Sequence, residues 1–148
     1  MKTTGTTRRY IYAITLFFIT LSGFGQMPIF KRYYIADIPG LGWLAQFYVT
    51  HIMHYIAAFV LIALVVYILF DFIFNGSGSR KVTGSAYFKI GILTGLIVTG
   101  ALMVVKNLPN IYFGHIMIIA LDLAHLSFCM MLLCVSFYTF IRGKKWVN

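Results

Sequence analysis

The sequence predicts an all-α integral membrane protein, a four-helix bundle with both termini cytoplasmic. Three observations carry that reading. The 148-residue chain is 61% hydrophobic and 10% charged, with a mean hydropathy of +0.89; a soluble domain has about a quarter of its residues charged. Four stretches reach the roughly 20 mostly apolar residues that a bilayer-spanning helix requires. No alternating β-barrel pattern competes, and in lipid only helices satisfy the backbone within one segment.

The four spans are expected at about 10–30, 44–74, 86–105 and 111–141, in a single transmembrane domain over 1–148. The first, "RRYIYAITLFFITLSGFGQ", also has the layout of a secretory signal: a basic head, an apolar middle and small residues before Gln26. The expectation is a retained helix. The loop after it, "QMPIFKRYYIADIPGLGW", carries Pro28 and Pro39 and is long enough for an interfacial segment or a docking surface. Trp43 and the tyrosines there suit the headgroup belt. The second and fourth spans are longer than a ~30 Å hydrocarbon core needs at about 1.5 Å per residue, so they tilt or project. "NGSGSRKVTGS" reads as a flexible polar inner loop and "KNLPN" as a tight outer turn. Gly23, Gly25, Gly91, Gly95 and Gly100 mark places where helices pack closely or a flat ligand gains clearance.

Orientation follows from the basic residues. With the N-terminus inside, Lys2, Arg8, Arg9, Arg80, Lys81, Lys89, Arg142, Lys144 and Lys145 fall on the cytoplasmic side, and only Lys31, Arg32 and Lys106 outside. The net charge of +9 therefore reports topology and contact with anionic headgroups, not nucleic acid. Cys129 and Cys134 lie mid-helix without CxxC spacing and read as small packing residues.

All four histidines, His51, His54, His115 and His125, fall on the second and fourth spans. Ionisable residues inside a membrane cost about 2.5–3.5 kcal/mol or more when charged and point to function. A neutral imidazole still needs a partner for each ring nitrogen. Iron on one nitrogen and a hydrogen bond from the other satisfy both, and haem is a large plate suited to the space between helices. Zinc fits less well. His51 and His54 are three residues apart and His115 and His125 ten, about 15 Å along a helix, so four ligands do not converge on one tetrahedral ion. By depth, His54 can pair with His125, or His51 with His115. His54 and His125 lie deeper, flanked by apolar sequence on both sides.

With "ITLFFITLSGF" in the first span, "HYIAAFVLIAL" in the second, "GLIVTGALMVV" in the third, and the distance from Gly100 to His125, the chain resembles the cytochrome b (gamma) membrane subunit of formate dehydrogenases and Ni–Fe hydrogenases. The likeness spans nearly all four helices. It implies that His54 and His125 are axial ligands of a haem b towards the outer side, leaving His51 and His115 as alternatives. The family's second haem uses histidines at positions that here read Arg9 or Tyr10, and Thr139. One haem is therefore expected, and the family's inner quinone site would lack its neighbouring haem.

The resemblance further implies a multi-pass subunit of the bacterial inner (plasma) membrane. Its partners would be an iron–sulfur or c-type cytochrome subunit, the lipid bilayer, and quinone as an exchangeable substrate. Asp122, three residues before His125, is a candidate proton acceptor for quinol oxidation, because a buried carboxylate must be paired or protonated. Asp71, near the inner end of its span, is expected to meet water or a loop lysine. The chain shows no nucleophile–base pair, phosphate loop or paired carboxylates. It reads as a non-catalytic electron-transfer subunit, a haem b membrane anchor of a respiratory oxidoreductase complex. The alternative is a haem-free structural anchor of a larger complex. A transporter would need more polar residues along the helices.

Overall fold

A computed structural model describes residues 4–27, 34–75 and 83–142. It contains four long helices and, among the described residues, no strand: α1 Thr4–Gly25, α2 Phe47–Asn75, α3 Gly84–Val105 and α4 His115–Ile141. Lys2, Lys31, Arg32, Arg80, Lys81, Lys144 and Lys145, on which much of the orientation argument rests, lie outside the described residues. The inner loop over 76–82 does as well.

Three of the helices are long and apolar enough to cross a membrane: Phe47–Phe74, Gly84–Val105 and His115–Ile141. The chain is thus a multi-pass membrane protein. Only 17%, 22% and 11% of the respective windows are buried within the protein. The apolar surface left over, including Phe59, Tyr67, Phe88 and Ile116, is what a hydrocarbon solvent accepts and water does not. α1 carries Arg8 and Arg9 in its 22 residues and falls outside that group.

The helices form two compact units, residues 1–75 and 76–148. In the first, α1 and α2 run antiparallel. Arg8 near the start of α1 pairs with Asp71 near the end of α2, while Gly25 at the end of α1 lies against Thr50 near the start of α2. α1 is shifted towards the N-terminus relative to the expected 10–30. It closes at Gly25 because Gln26 and Met27 turn back onto the carbonyls of Ser22, Gly23 and Phe24, and Pro28, next in sequence, disfavours helical backbone at the residue before it. The connection contains two 3₁₀ turns, Ile35–Asp37 and Gly42–Ala45. Gly40 takes a φ of 89° there, a left-handed conformation that suits a residue without Cβ. Leu44 from the second turn is only 2% exposed. It fits over Gly25, where an added Cβ would lie 3.3 Å from Leu44 Cδ2 and from its carbonyl oxygen.

In the second unit α3 and α4 are likewise antiparallel, joined by the turn that follows Val105. Asn110 adopts φ 66°, which its short side chain tolerates better than most. Residues 111–114 are not helical and Gly114 is extended (ψ 149°), so α4 starts at His115 instead of near 111. At Gly95 the Phe128 ring of α4 lies close against α3. A Cβ there would lie 2.8–2.9 Å from three atoms of the Phe128 ring.

Candidate functional site: two imidazole seats

Each unit holds one of the two deeper histidines, and each sets its Nδ1 against a hydroxyl of the preceding helix. On α2, His54 is half-buried and points at α1. Its Nδ1 lies 3.1 Å from the carbonyl oxygen of Ile19 and 3.1 Å from Ser22 Oγ. A carbonyl only accepts, so this contact assigns the ring proton to Nδ1. The Ser22 hydroxyl donates its own hydrogen to the backbone carbonyls of Phe18 (2.7 Å) and Ile19 (3.0 Å). Towards the imidazole it therefore accepts. Ser22 is fully buried. Gly23, the next residue, lets the ring lie on the helix backbone; a Cβ there would be 3.3 Å from His54 Cε1.

On α4, His125 repeats the arrangement against α3. Its Nδ1 is 2.8 Å from Thr99 Oγ1, and the Thr99 hydroxyl donates to the carbonyl of Gly95 at 2.7 Å. With its hydrogen on that carbonyl, Thr99 Oγ1 is placed to accept from the ring. Gly100 follows, and its missing Cβ would be 3.5 Å from His125 Cε1. Both seats are thus a hydroxyl residue and a glycine in succession on the preceding helix. For His54 the Ile19 carbonyl puts the ring proton on Nδ1 and the lone pair on Nε2; the Thr99 contact of His125 is compatible with the same tautomer. That is the donor set of a metal-binding histidine oriented by its outer hydrogen bond.

The glycines expected to give clearance for a flat ligand are taken up by side chains. Gly23 and Gly100 meet the imidazoles, Gly25 meets Thr50 and Leu44, and Gly95 meets Phe128. Only at Gly91 does an added Cβ, among these five, meet nothing within 4 Å.

The other predicted residues lie elsewhere in their units. His51 sits between the rings of Phe47 and Tyr55, with centroids at 5.0 and 4.4 Å, in an edge-on aromatic stack along α2. His115 is the exposed first residue of α4. Asp122 differs from the expected buried carboxylate. Its side chain is 52% exposed and pairs with Lys106 Nζ at 3.1 Å. The reason is its position seven residues into α4, level with the end of α3 in an antiparallel pair. Asp71 pairs with Arg8 of α1 at 2.7 Å, a partner the sequence reading did not name. The guanidinium lies 5.5 Å from the Tyr67 ring centroid as well, a cation–π contact.

At the corresponding end of the second unit, Lys89 is buried and its Nζ donates to Thr139 Oγ1 at 2.7 Å. Thr139 in turn donates to the carbonyl of Ser136. The sequence placed Lys89 among the basic residues of the cytoplasmic side; in the structure it is buried, with Thr139 as one acceptor for its ammonium. Cys129 and Cys134 are free thiols. Among the described residues, no three or more of His, Cys, Asp and Glu gather into a metal-binding cluster.

Sequence reasoning missed Ser22, Thr99 and the repeated plan. The signal was in view, since "LSG" and "VTG" each stand one helix before a histidine. No protein-family model matches this chain, and neither a curated protein nor a solved structure is significantly similar to it.

Proposed function

We propose that this chain is a haem b-containing membrane anchor subunit of a respiratory oxidoreductase complex, passing electrons between a redox partner subunit and the quinone pool. The observation that carries the reading is the matched pair of imidazole seats. His54 and His125 each commit Nδ1 to an acceptor in their own unit, which leaves the lone pair on Nε2, the nitrogen an iron porphyrin takes. Haem, when bound, supplies one-electron chemistry; the protein's part is ligation, spacing and dielectric.

A single haem is supported by the fate of the residues where a second would be ligated. Thr139 is engaged by the buried Lys89, and Arg9 and Tyr10 adjoin the Arg8–Asp71 pair. We further propose that α1 is a fourth span in a four-helix bundle, with both termini on the cytoplasmic face of a bacterial inner membrane. The Arg8–Asp71 pair supports this by joining the basic start of α1 to the end of α2. The partners on this reading are an iron–sulfur or c-type cytochrome subunit and an exchangeable quinone.

The test is the absorption spectrum of the detergent-purified chain together with its haem-to-protein ratio. A Soret band and a ratio of one are expected, with loss of haem in His54→Ala and in His125→Ala and retention of much of it in His51→Ala. Haem loss in His51→Ala and His115→Ala instead would overturn the ligand assignment, and a ratio of two would overturn the single site. A chain without a Soret band would be a structural anchor only.

A further inference from the structure

The two seats differ in one respect that bears on chemistry. His54 Nδ1 is shared between a serine hydroxyl and a peptide carbonyl, both at 3.1 Å. His125 Nδ1 meets Thr99 Oγ1 at the shorter 2.8 Å. In both, the hydroxyl's own proton is turned onto its helix, towards Phe18 and Ile19 for Ser22, and towards Gly95 and Leu96 for Thr99. The i−4 and i−3 carbonyls of a helix thus fix the polarity of each hydroxyl, and the hydroxyl fixes the tautomer of the ring. A serine or threonine free to rotate could donate to Nδ1 and favour the opposite tautomer. Here that option would sacrifice the bond to the carbonyl.

We infer that Ser22 and Thr99 are positioning residues which hold the proton of His54 and His125 on Nδ1 and so set Nε2 as the donor atom of each. The consequence for bound iron rests on the haem reading above; the tautomer itself does not. An acceptor on Nδ1–H gives the imidazole partial imidazolate character and raises its basicity as a ligand, which favours ferric over ferrous iron. Removing the acceptor therefore raises the midpoint potential. The two sites respond unequally. Shortening Ser22 leaves the Ile19 carbonyl behind, while replacing Thr99 removes the shorter of the two contacts.

The experiment compares the full chain with Ser22→Ala, Thr99→Val and Thr99→Ser in detergent, by redox titration and by ¹⁵N NMR of the histidine side chains. The expected result is unchanged haem content, an upward shift in midpoint potential for Thr99→Val, a smaller one for Ser22→Ala, and a value near wild type for Thr99→Ser, which restores the hydroxyl. Unchanged potentials at full haem content would overturn the positioning role and leave the haem reading intact. If the wild type binds no haem, the haem reading fails and the NMR decides the inference alone. Wild type must then show Nδ1-protonated rings at both positions, and Thr99→Val must shift His125 towards the Nε2-protonated form. An Nε2-protonated ring in the wild type, or a His125 spectrum indifferent to Thr99→Val, overturns it.

Discussion

Gly95 offers the sharpest test of the second helix pair, because the space it leaves is filled. A Cβ added there would lie 2.8, 2.9 and 2.9 Å from Phe128 ring carbons, against an ordinary carbon–carbon contact of about 3.5–4.0 Å. Either the ring retreats by roughly 0.7 Å or more, or the helices part by a similar amount. Overpacking of that kind costs about 1–3 kcal/mol. The substitution also gains about 1 kcal/mol of helix propensity. Gly91→Ala isolates that gain, since its added Cβ meets nothing within 4 Å on the same helix. Gly95→Ala should therefore be less stable than Gly91→Ala by about 1–3 kcal/mol, measured by reversible unfolding in mixed detergent micelles. Adding Phe128→Leu to Gly95→Ala should return part of the loss as a positive coupling. The effect should reach the histidine too. Gly95 supplies the carbonyl that Thr99 donates to, and Phe128 is three residues from His125. Equal stability of the two alanine variants would refute the tight packing of α3 on α4 at this level.

Three further outcomes follow from the polar pairs. Arg8→Gln and Asp71→Asn should each destabilise the protein, with a coupling of about 0.5–3 kcal/mol in the double-mutant cycle, because both side chains are largely buried at 29% and 22% exposure; additive losses would mean the pair is not formed. Thr139→Val should cost about 1–3 kcal/mol by depriving a buried ammonium of an acceptor, and Lys89→Met in the same chain should recover most of it; a neutral Thr139→Val would place Lys89 elsewhere. Asp122→Asn should cost less than about 1 kcal/mol, as expected for a half-exposed ion pair with Lys106. A loss of several kcal/mol in the same titration would show that the carboxylate is buried in the native protein.

Hydropathy made the helices legible; depth within the apolar runs leaned towards His54 and His125, the family resemblance chose them, and these two have matched surroundings. What did not read out of the sequence was rotation. A soluble helix advertises its buried face by a polar stripe on the other side. α2, α3 and α4 are apolar nearly all round, since lipid accepts what the core accepts, so nothing in the one-dimensional pattern tells which residues of α1 face α2. Ser22 and Thr99 were therefore ordinary small residues until the hairpins turned them towards a ring. The Arg8–Asp71 pair went unread for the same reason: the two residues are 63 apart in sequence, and Arg8 was read as part of a basic tail. The helix ends were misjudged where backbone conformation, not hydropathy, ends the run. Gln26 turns back at one such place and Asn110 goes left-handed at another.

The pairing of histidine with hydroxyl and glycine also says why the two deeper imidazoles differ in kind from the other two. A neutral histidine in hydrocarbon needs an acceptor for its N–H, and leaving that group unmet costs about 1–3 kcal/mol. His115 escapes the cost by standing exposed at a helix start. His51 lies edge-on to Phe47 and Tyr55 on its own helix. His54 and His125 instead draw on a neighbouring helix, and each does so through a residue whose hydroxyl is already oriented by its own backbone. Structural economy alone would be met by either tautomer. On the proposed reading, the same tautomer in both seats, with the glycine after each hydroxyl admitting the ring against the helix, presents Nε2 as a donor twice over.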